Sequence, residues 1–401
     1  MLKIHVVALA LVCFALSVPA SRGAHLQYDH SFDPRAHKNP GKTEYHIDLD
    51  SLIEKALGSE TELRKLYNHY KAKHDVSHGQ HETAERLKTF RQFLVEVQEL
   101  QRDESIAWTP GITLMAHMTE LEQELMMSGN VTDHLDSHLL DNECNEYQQE
   151  AVGEEENALQ AAYGALPSSF DWRALGAVTP VKRQNKGGTC WTFAAVTPME
   201  AWIKQLTGDL PDLSTQELAD CVYYGFGKRY FKNGGMAHHA WDYIMKEGRI
   251  GYSAEIPARE YAGFGGCSYD KWAHNALEDY NVAINNIIVV QKDLSGPAAL
   301  RVIVGSWCPV VVGINTVGSN LTKYKGGPFD PRTSDCVPGA KITHAVTIVG
   351  YDITYFYIKN SWGDHWGNDG YIWWVRAKGT KDCSIYQRPM YPRMVKTKKK
   401  E

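Results

Sequence analysis

The chain of 401 residues is long enough for two or three compact units, and its 43% apolar and 22% charged content is that of an ordinary soluble protein. A net charge of −6 leaves no footprint for nucleic acid, and the basic run Lys396 to Lys400 reads as a solvated end. Beyond the N-terminus no apolar run reaches the length needed to span a bilayer, so a membrane span is not expected either.

In chain order, Lys3 precedes an apolar stretch from Ile4 to Leu16, and Val18-Pro19-Ala20 supplies the small residues of a cleavage site. Residues 1–20 are therefore expected to be a secretory signal peptide, which sends the rest into the secretory pathway, to a lysosome or the extracellular space. The sequons at Asn130 and Asn320 are candidate glycosylation sites compatible with that route. With Cys13 removed, Cys144, Cys190, Cys221, Cys267, Cys308, Cys336 and Cys383 remain. Their number is odd, so at least one thiol stays out of intramolecular bridges.

From Ser51 to Gln101 the chain is charged and free of proline, with apolar residues spaced as on amphipathic helices: Leu63, Leu66, Tyr67, Tyr70, Leu87, Phe90, Leu94 and Val97. From Asn130 to Ala162 it is acidic and polar, and reads as a linker or exposed arm. From Leu166 onward Trp, Gly and Tyr become frequent, as in a dense globular domain. There Cys190 to Leu206 predicts a helix kinked at Pro198. After Pro309 come short β-branched and aromatic runs at 310–312, 345–349, 354–358 and 371–375, separated by glycine-rich turns, which predict antiparallel strands. A helical half followed by a β half predicts an α+β fold with a cleft where they meet.

The stretch Gln184 to Phe193, QNKGGTCWTF, raises a chemical question. A lone cysteine is usually a small buried hydrophobe. At the first turn of a helix, however, its sulfur meets unpaired N–H groups and the positive end of the helix dipole, which favour thiolate. A thiolate nucleophile then requires an imidazole to protonate the leaving amine and a group to orient that imidazole. His344 opens an apolar strand and Asn360 follows the next one, so a hairpin would join them, with Trp362 as a cover. Gln184 supplies an amide donor for an oxyanion hole beside the Cys190 N–H.

These residues resemble the papain family of cysteine proteases, of the cathepsin L type, in preproenzyme form. The resemblance rests on Gly188-Thr189-Cys190-Trp191, Phe170-Asp-Trp-Arg173, Asp220-Cys221, Asn233-Gly-Gly235 and Asn360-Ser-Trp-Gly…Trp366-Gly367…Gly370-Tyr371. It implies a two-lobed fold, with a helical left lobe and an antiparallel, barrel-like right lobe, behind a helical inhibitory propeptide. The expected divisions are 1–20 signal peptide, 21–165 propeptide with acidic linker, and 166–401 peptidase domain. It also implies catalytic Cys190, His344 and Asn360, oxyanion Gln184, and disulfides Cys221–Cys267 and Cys336–Cys383. Substrate contacts carry over to Gly188, Gly234, Gly235, Met236, Ala237, Gly313, Ile342, Arg388 and Trp366. An arginine at 388, the floor of the second-residue pocket, would favour an acidic side chain there or merely narrow the pocket. Peptide or protein substrates are the expected partners, the propeptide an intramolecular inhibitor, and the enzyme a monomer without cofactor.

Departures accompany the resemblance. Gly187 and Lys232 stand where the family has a further disulfide, so both of its ends are missing together. Glu82, Arg86 and Phe90 fall on the family's inhibitory-helix motif, but Thr113, Met115 and His117 replace the Asn, Phe and Asp usual after Gly111. Most of the 17 histidines precede Leu166, which suggests that acid loosens the propeptide. His238-His239 lacks metal-ligand spacing and reads as surface, and no metal is expected. The competing function is a catalytically silent relative that binds peptides or acts as a scaffold. Such a protein would not need the complete Cys, His, Asn and Gln set.

Overall fold

The computed structural model describes residues 48–77, 79, 82–127, 166–184, 187–224, 228–229, 234–259, 267, 274–290, 296–317, 319–334, 336, 341–376 and 381–398. The stretch expected to be a signal peptide, the acidic stretch from Asn130 to Ala162, Cys144, Lys232 and Asn233 lie outside the described residues.

Three helices come first: α1 (Leu49–Gly58), α2 (Glu60–His74) and α3 (Thr83–Gln101). Helix α2 buries Leu63, Leu66, Tyr67, Tyr70 and His74, steps of three and four residues that make one stripe. Helix α3 answers with Leu87, Phe90, Phe93, Leu94 and Val97. Phe90 meets the Tyr67 and Tyr70 rings at 5.1 and 5.0 Å. The short strand β1 (Thr109–Pro110) and helix α4 (Glu120–Met126) complete this segment. A capping box between Thr119 and Glu122 starts α4, and Arg86 ties it to α3 through two hydrogen bonds to the same Glu122 carboxylate.

The second part begins with β2 (Phe170–Asp171) and a helical lobe: α5 (Cys190–Thr207), α6 (Thr215–Cys221), the small hairpin β3 (Tyr223–Tyr224) and β4 (Lys228–Arg229), α7 (Ala237–Glu247) and α8 (Ala276–Asp279). The other lobe is a sheet of β5 (Val282–Val289), β6 (Val310–Ile314), β8 (Pro328–Phe329), β9 (His344–Tyr351), β10 (Tyr355–Lys359), β11 (Tyr371–Val375) and β12 (Met390–Lys396), with β7 (Tyr324–Gly326) apart from it. Its order is β5-β12-β6-β9-β10-β11-β8, with β2 also on β9. All pairs are antiparallel except β11 with β8. Helix α9 (Pro297–Ser306) packs against β9. The α+β, papain-like architecture expected from the sequence is the one observed.

Helix α5 carries Pro198 in its interior. Proline removes the N–H that would bond to the carbonyl of Ala194, and Thr347 Oγ1 of β9 donates to that carbonyl instead, at 3.2 Å. Trp241 Nε1 of α7 bonds the next carbonyl, Ala195, at 3.0 Å. The backbone defect is thereby turned into contacts with both lobes. Cys221–Cys267 and Cys336–Cys383 are both bridged. Cys308 is a buried thiol, and burial pushes its titration far upward, so it behaves as a core hydrophobe. No helix among the described residues is long and apolar enough to cross a membrane.

The N-terminal segment is seated on the sheet lobe by specific contacts. Strand β1 pairs with β7, and Gly111 N donates to Lys323 O at 2.9 Å. Trp108 packs on Tyr324 and Phe329. Thr113 Oγ1 bonds the Thr322 carbonyl, and Glu96 pairs with Lys323 at 2.8 Å. One apolar cluster runs without a break from Ile53 and Leu63 through Trp108 and Tyr324 to Trp374, so this segment is packed as core.

Candidate active site

Cys190 is the first residue of the 18-residue helix α5 and is 1% exposed. Its sulfur therefore sits at the positive end of a long helix, where negative charge is favoured. The N–H of Ala345 donates to that sulfur at 3.4 Å, which sets the thiol beside the start of β9. His344, the preceding residue, is 1% exposed. Its Nε2 pairs with Asn360 Oδ1 at 2.8 Å, which fixes this nitrogen as the N–H donor because an amide oxygen only accepts. The other nitrogen, Nδ1, is buried and has no hydrogen-bond partner among the described residues. Trp362 stacks on the imidazole, with ring centres 4.8 Å apart, and Trp366 meets Trp362 edge-on at 4.9 Å. Those indoles exclude water from the His344–Asn360 bond.

Burial lowers the His344 pKa to about 4, and the Asn360 bond recovers only part of the loss. An imidazolium at this position therefore needs an opposite charge to sustain it at neutral pH. The neighbouring sulfur is the group that can supply one.

Gln184 is 2% exposed and held on both sides of its amide. Its oxygen accepts from Ser361 Oγ at 2.6 Å, and its backbone N–H donates to Ser361 O at 2.7 Å. The side-chain Nε2 consequently points out, and donates to the carbonyl of Met126 at 2.7 Å. Met126 is the last residue of α4, so a carbonyl of the N-terminal segment takes up the amide donor at the site.

Among the residues expected to touch substrate, Gly235 lies under Trp191, where an added Cβ would fall 2.6 Å from the indole. Gly313 is covered by Ile342, with the same 2.6 Å clash. Gly188, Gly234 and Ala237 are buried, Met236 and Arg388 half-buried. Trp366 Nε1 is anchored to the Leu321 carbonyl at 3.0 Å. The surface reading of the histidine pair is corrected: His238 is only 1% exposed because α7 turns it inward, close enough to Arg388 to feel its charge. No group of three or more metal-ligating side chains occurs among the described residues. Asn320 is half-buried in the loop beneath the N-terminal segment.

Sequence reasoning missed the ionic cluster under the site. Glu200, fully buried on α5, accepts from Thr179 Oγ1 at 2.7 Å and from Lys182 Nζ at 3.3 Å. Lys359 Nζ joins through Thr179 at 3.0 Å, and burial lowers its pKa to about 8. Lys359 immediately precedes Asn360, and Lys182 lies two residues before Gln184. The cluster thus fixes the backbone carrying both. One signal was present: a glutamate on an otherwise apolar helical stripe must find a cation.

A thiol at a helix start, an oriented imidazole and an amide donor beside them define a thiol-dependent acyl-transfer site. The comparisons narrow that class. The papain family cysteine protease profile matches residues 166–393. Vignain of Ricinus communis is 30% identical over 349 residues, covering 84% of this chain and 88% of its own. Cathepsin S of Bos taurus is 36% identical over 232 residues, 57% of this chain and 65% of its own. Among solved structures, a recombinant stem bromelain precursor matches with TM-score 0.64 and 25% identity, covering 82% of this chain and 98% of its own. A ragweed pollen cysteine protease in its proform matches with TM-score 0.65 and 27% identity, covering 87% and 96%. The chain belongs to the papain family of cysteine proteases, and it is a cysteine endopeptidase made as a zymogen.

Proposed function

We propose that Cys190, His344, Asn360 and Gln184 carry the hydrolysis, and that residues 21–165 are removed to open the site. The observation that carries this assignment is the His344 Nε2–Asn360 Oδ1 bond, which leaves Nδ1 as the nitrogen available to the thiol. The Cys190 sulfur attacks the scissile carbonyl, and its proton passes to His344 Nδ1. The carbonyl oxygen takes negative charge and receives bonds from Gln184 Nε2 and the Cys190 N–H. His344 gives its proton to the leaving amine as the C–N bond breaks. Water, deprotonated by His344, then attacks the thioester, and the C–S bond breaks to release the acid and the thiol.

The same reading makes the Met126 carbonyl a stand-in for the substrate oxygen at Gln184. It makes the enzyme a monomer of the secretory pathway, lysosomal or extracellular. Met236, Ala237, Gly313, Ile342 and Arg388 form the second-residue pocket, in which Arg388 favours an acidic side chain. Arg388→Ala should lower the ratio of Glu to Leu acceptance at that position about tenfold, read as relative kcat/KM. An unchanged ratio removes Arg388 from the pocket.

The test of the catalytic assignment is labelling of the processed enzyme with an epoxide thiol probe, followed by peptide mapping. Cys190 alone should be labelled, and labelling should disappear in His344→Ala. Absence of labelling in fully processed protein, with no peptide cleavage, would favour the silent peptide-binding relative.

A further inference from the structure

We propose that His74 of the propeptide and His365 of the enzyme domain, packed against each other across their interface, form the trigger by which acid releases the propeptide. This rests on the zymogen reading above and adds the residues that sense pH.

His74 lies in the last turn of α2, four residues beyond Tyr70 on the same buried stripe. It is 6% exposed, with the Tyr70 ring at 4.9 Å on one side. On the other side stands the His365 ring, edge-on, with centres 5.8 Å apart. The carbonyl of His74 accepts from Arg183 Nη1 at 2.9 Å, and the carbonyl of His365 accepts from Lys325 Nζ at 2.7 Å. Both enzyme-domain cations are thereby held at the seam.

The charges facing His74 are therefore nearly all positive. Lys73 is on its own helix, and Arg183, Lys325 and His365 come from the enzyme domain. The acids nearby are Asp75, which caps the helix end, and Asp364, whose carboxylate lies 3.9 Å from His365 Nδ1 and is half exposed. A neutral imidazole fits this seat and an imidazolium does not. Burial, followed by the charges of His365, Lys325, Lys73 and Arg183, lowers the His74 pKa to about 3 while it is docked.

Once released into water the same side chain titrates near 6.5. The docked state thus binds fewer protons, so docking is fully stable above about pH 6.5 and weakens as pH falls towards 3. Each pH unit in that window favours release about tenfold through His74. The half-buried carboxylate of Glu122 does not share the window. Burial of Glu122 opposes its charge, but the Arg86 and Thr119 hydrogen bonds outweigh this and hold its pKa at about 2. The Arg86–Glu122 clamp therefore stays intact in mild acid while the histidine seam fails.

The experiment uses the full-length zymogen and follows the first-order appearance of activity from pH 7 to 4. Wild type should accelerate steeply below pH 6.5. His74→Gln should lose about 100-fold of that acceleration by pH 4.5, and its plot of log rate against pH should flatten by about one unit. His365→Gln should give a smaller loss, about several-fold, and His365→Lys, a fixed cation, should release the propeptide about tenfold faster at pH 6.5. The last two alter a half-exposed enzyme-domain residue, so they test the trigger even if His74→Gln fails to fold. Glu96→Gln, which breaks the pair with the buried Lys323 but touches no histidine, should leave the shape of the profile unchanged. Unaltered profiles in both His365 variants, or curves shifted by the same factor at every pH, would overturn the proposal. Wild type lacking activity even after added protease has removed the propeptide would instead overturn the zymogen reading.

Discussion

Two of the molecule's buried histidines have opposite fates. His344 and His74 both lose their charge to burial, with pKa values lowered to about 4 and about 3. Around His344 the fold supplies a hydrogen-bond acceptor, Asn360, an aromatic cover, and a sulfur that can take the countercharge. Around His74 it supplies Arg183, Lys325, Lys73 and His365. The first seat tolerates an imidazolium once a thiolate forms beside it, whereas the second expels one. On the roles proposed above, desolvation alone does not tell a catalytic histidine from a switch; the sign of the neighbouring charge does.

The largest effect should come from breaking the first seat. His344→Ala should lower kcat/KM by at least about 10³-fold while leaving the processed protein folded, as thermal unfolding would show. His74→Ala, by contrast, should leave kcat/KM of fully processed enzyme unchanged. A loss of turnover in both would erase the contrast. Next in size is the ionic cluster beneath the site. Glu200→Gln removes the buried countercharge of Lys182 and Lys359, leaving Lys182 only the exposed Asp212, and should cost about 3–5 kcal/mol in stability, measured by denaturant unfolding. A change under about 1 kcal/mol would mean that the lysines find another partner or lose their protons. Smaller still, Gly235→Ala forces the Trp191 indole to move and should cost about 1–3 kcal/mol without altering the pH profile of processing. An altered profile would couple that wall to the propeptide seat.

Much of the first seat was legible in the sequence, because its chemistry is carried by residue types at fixed places. A cysteine at a helix start, a histidine opening one strand and an asparagine ending the next could be assembled without coordinates, and the β9–β10 hairpin joins the latter two. Strands β6, β9, β10 and β11 were equally readable, since β-branched and aromatic runs between glycines leave few alternatives, whereas β5 and β12, which pair with each other, were not read. The second seat was not. His74 stands on the stripe of Leu63, Leu66, Tyr67 and Tyr70, which marks it for burial, but no local pattern says that His365, far along the chain, packs on it. The Glu200 cluster was hidden for the same reason, its members being scattered over Thr179, Lys182, Asp212 and Lys359. The inward turn of His238 likewise depends on how α7 packs, which adjacent histidines in sequence do not reveal.

The most direct test of the catalytic account is the pH dependence of Cys190 alkylation by a small uncharged reagent in processed enzyme. A rate already high near pH 5, nearly flat to pH 8 and strongly reduced in His344→Ala is the predicted result. A rate that climbs only towards the ordinary thiol range near pH 8.5, with no response to His344→Ala, would contradict it.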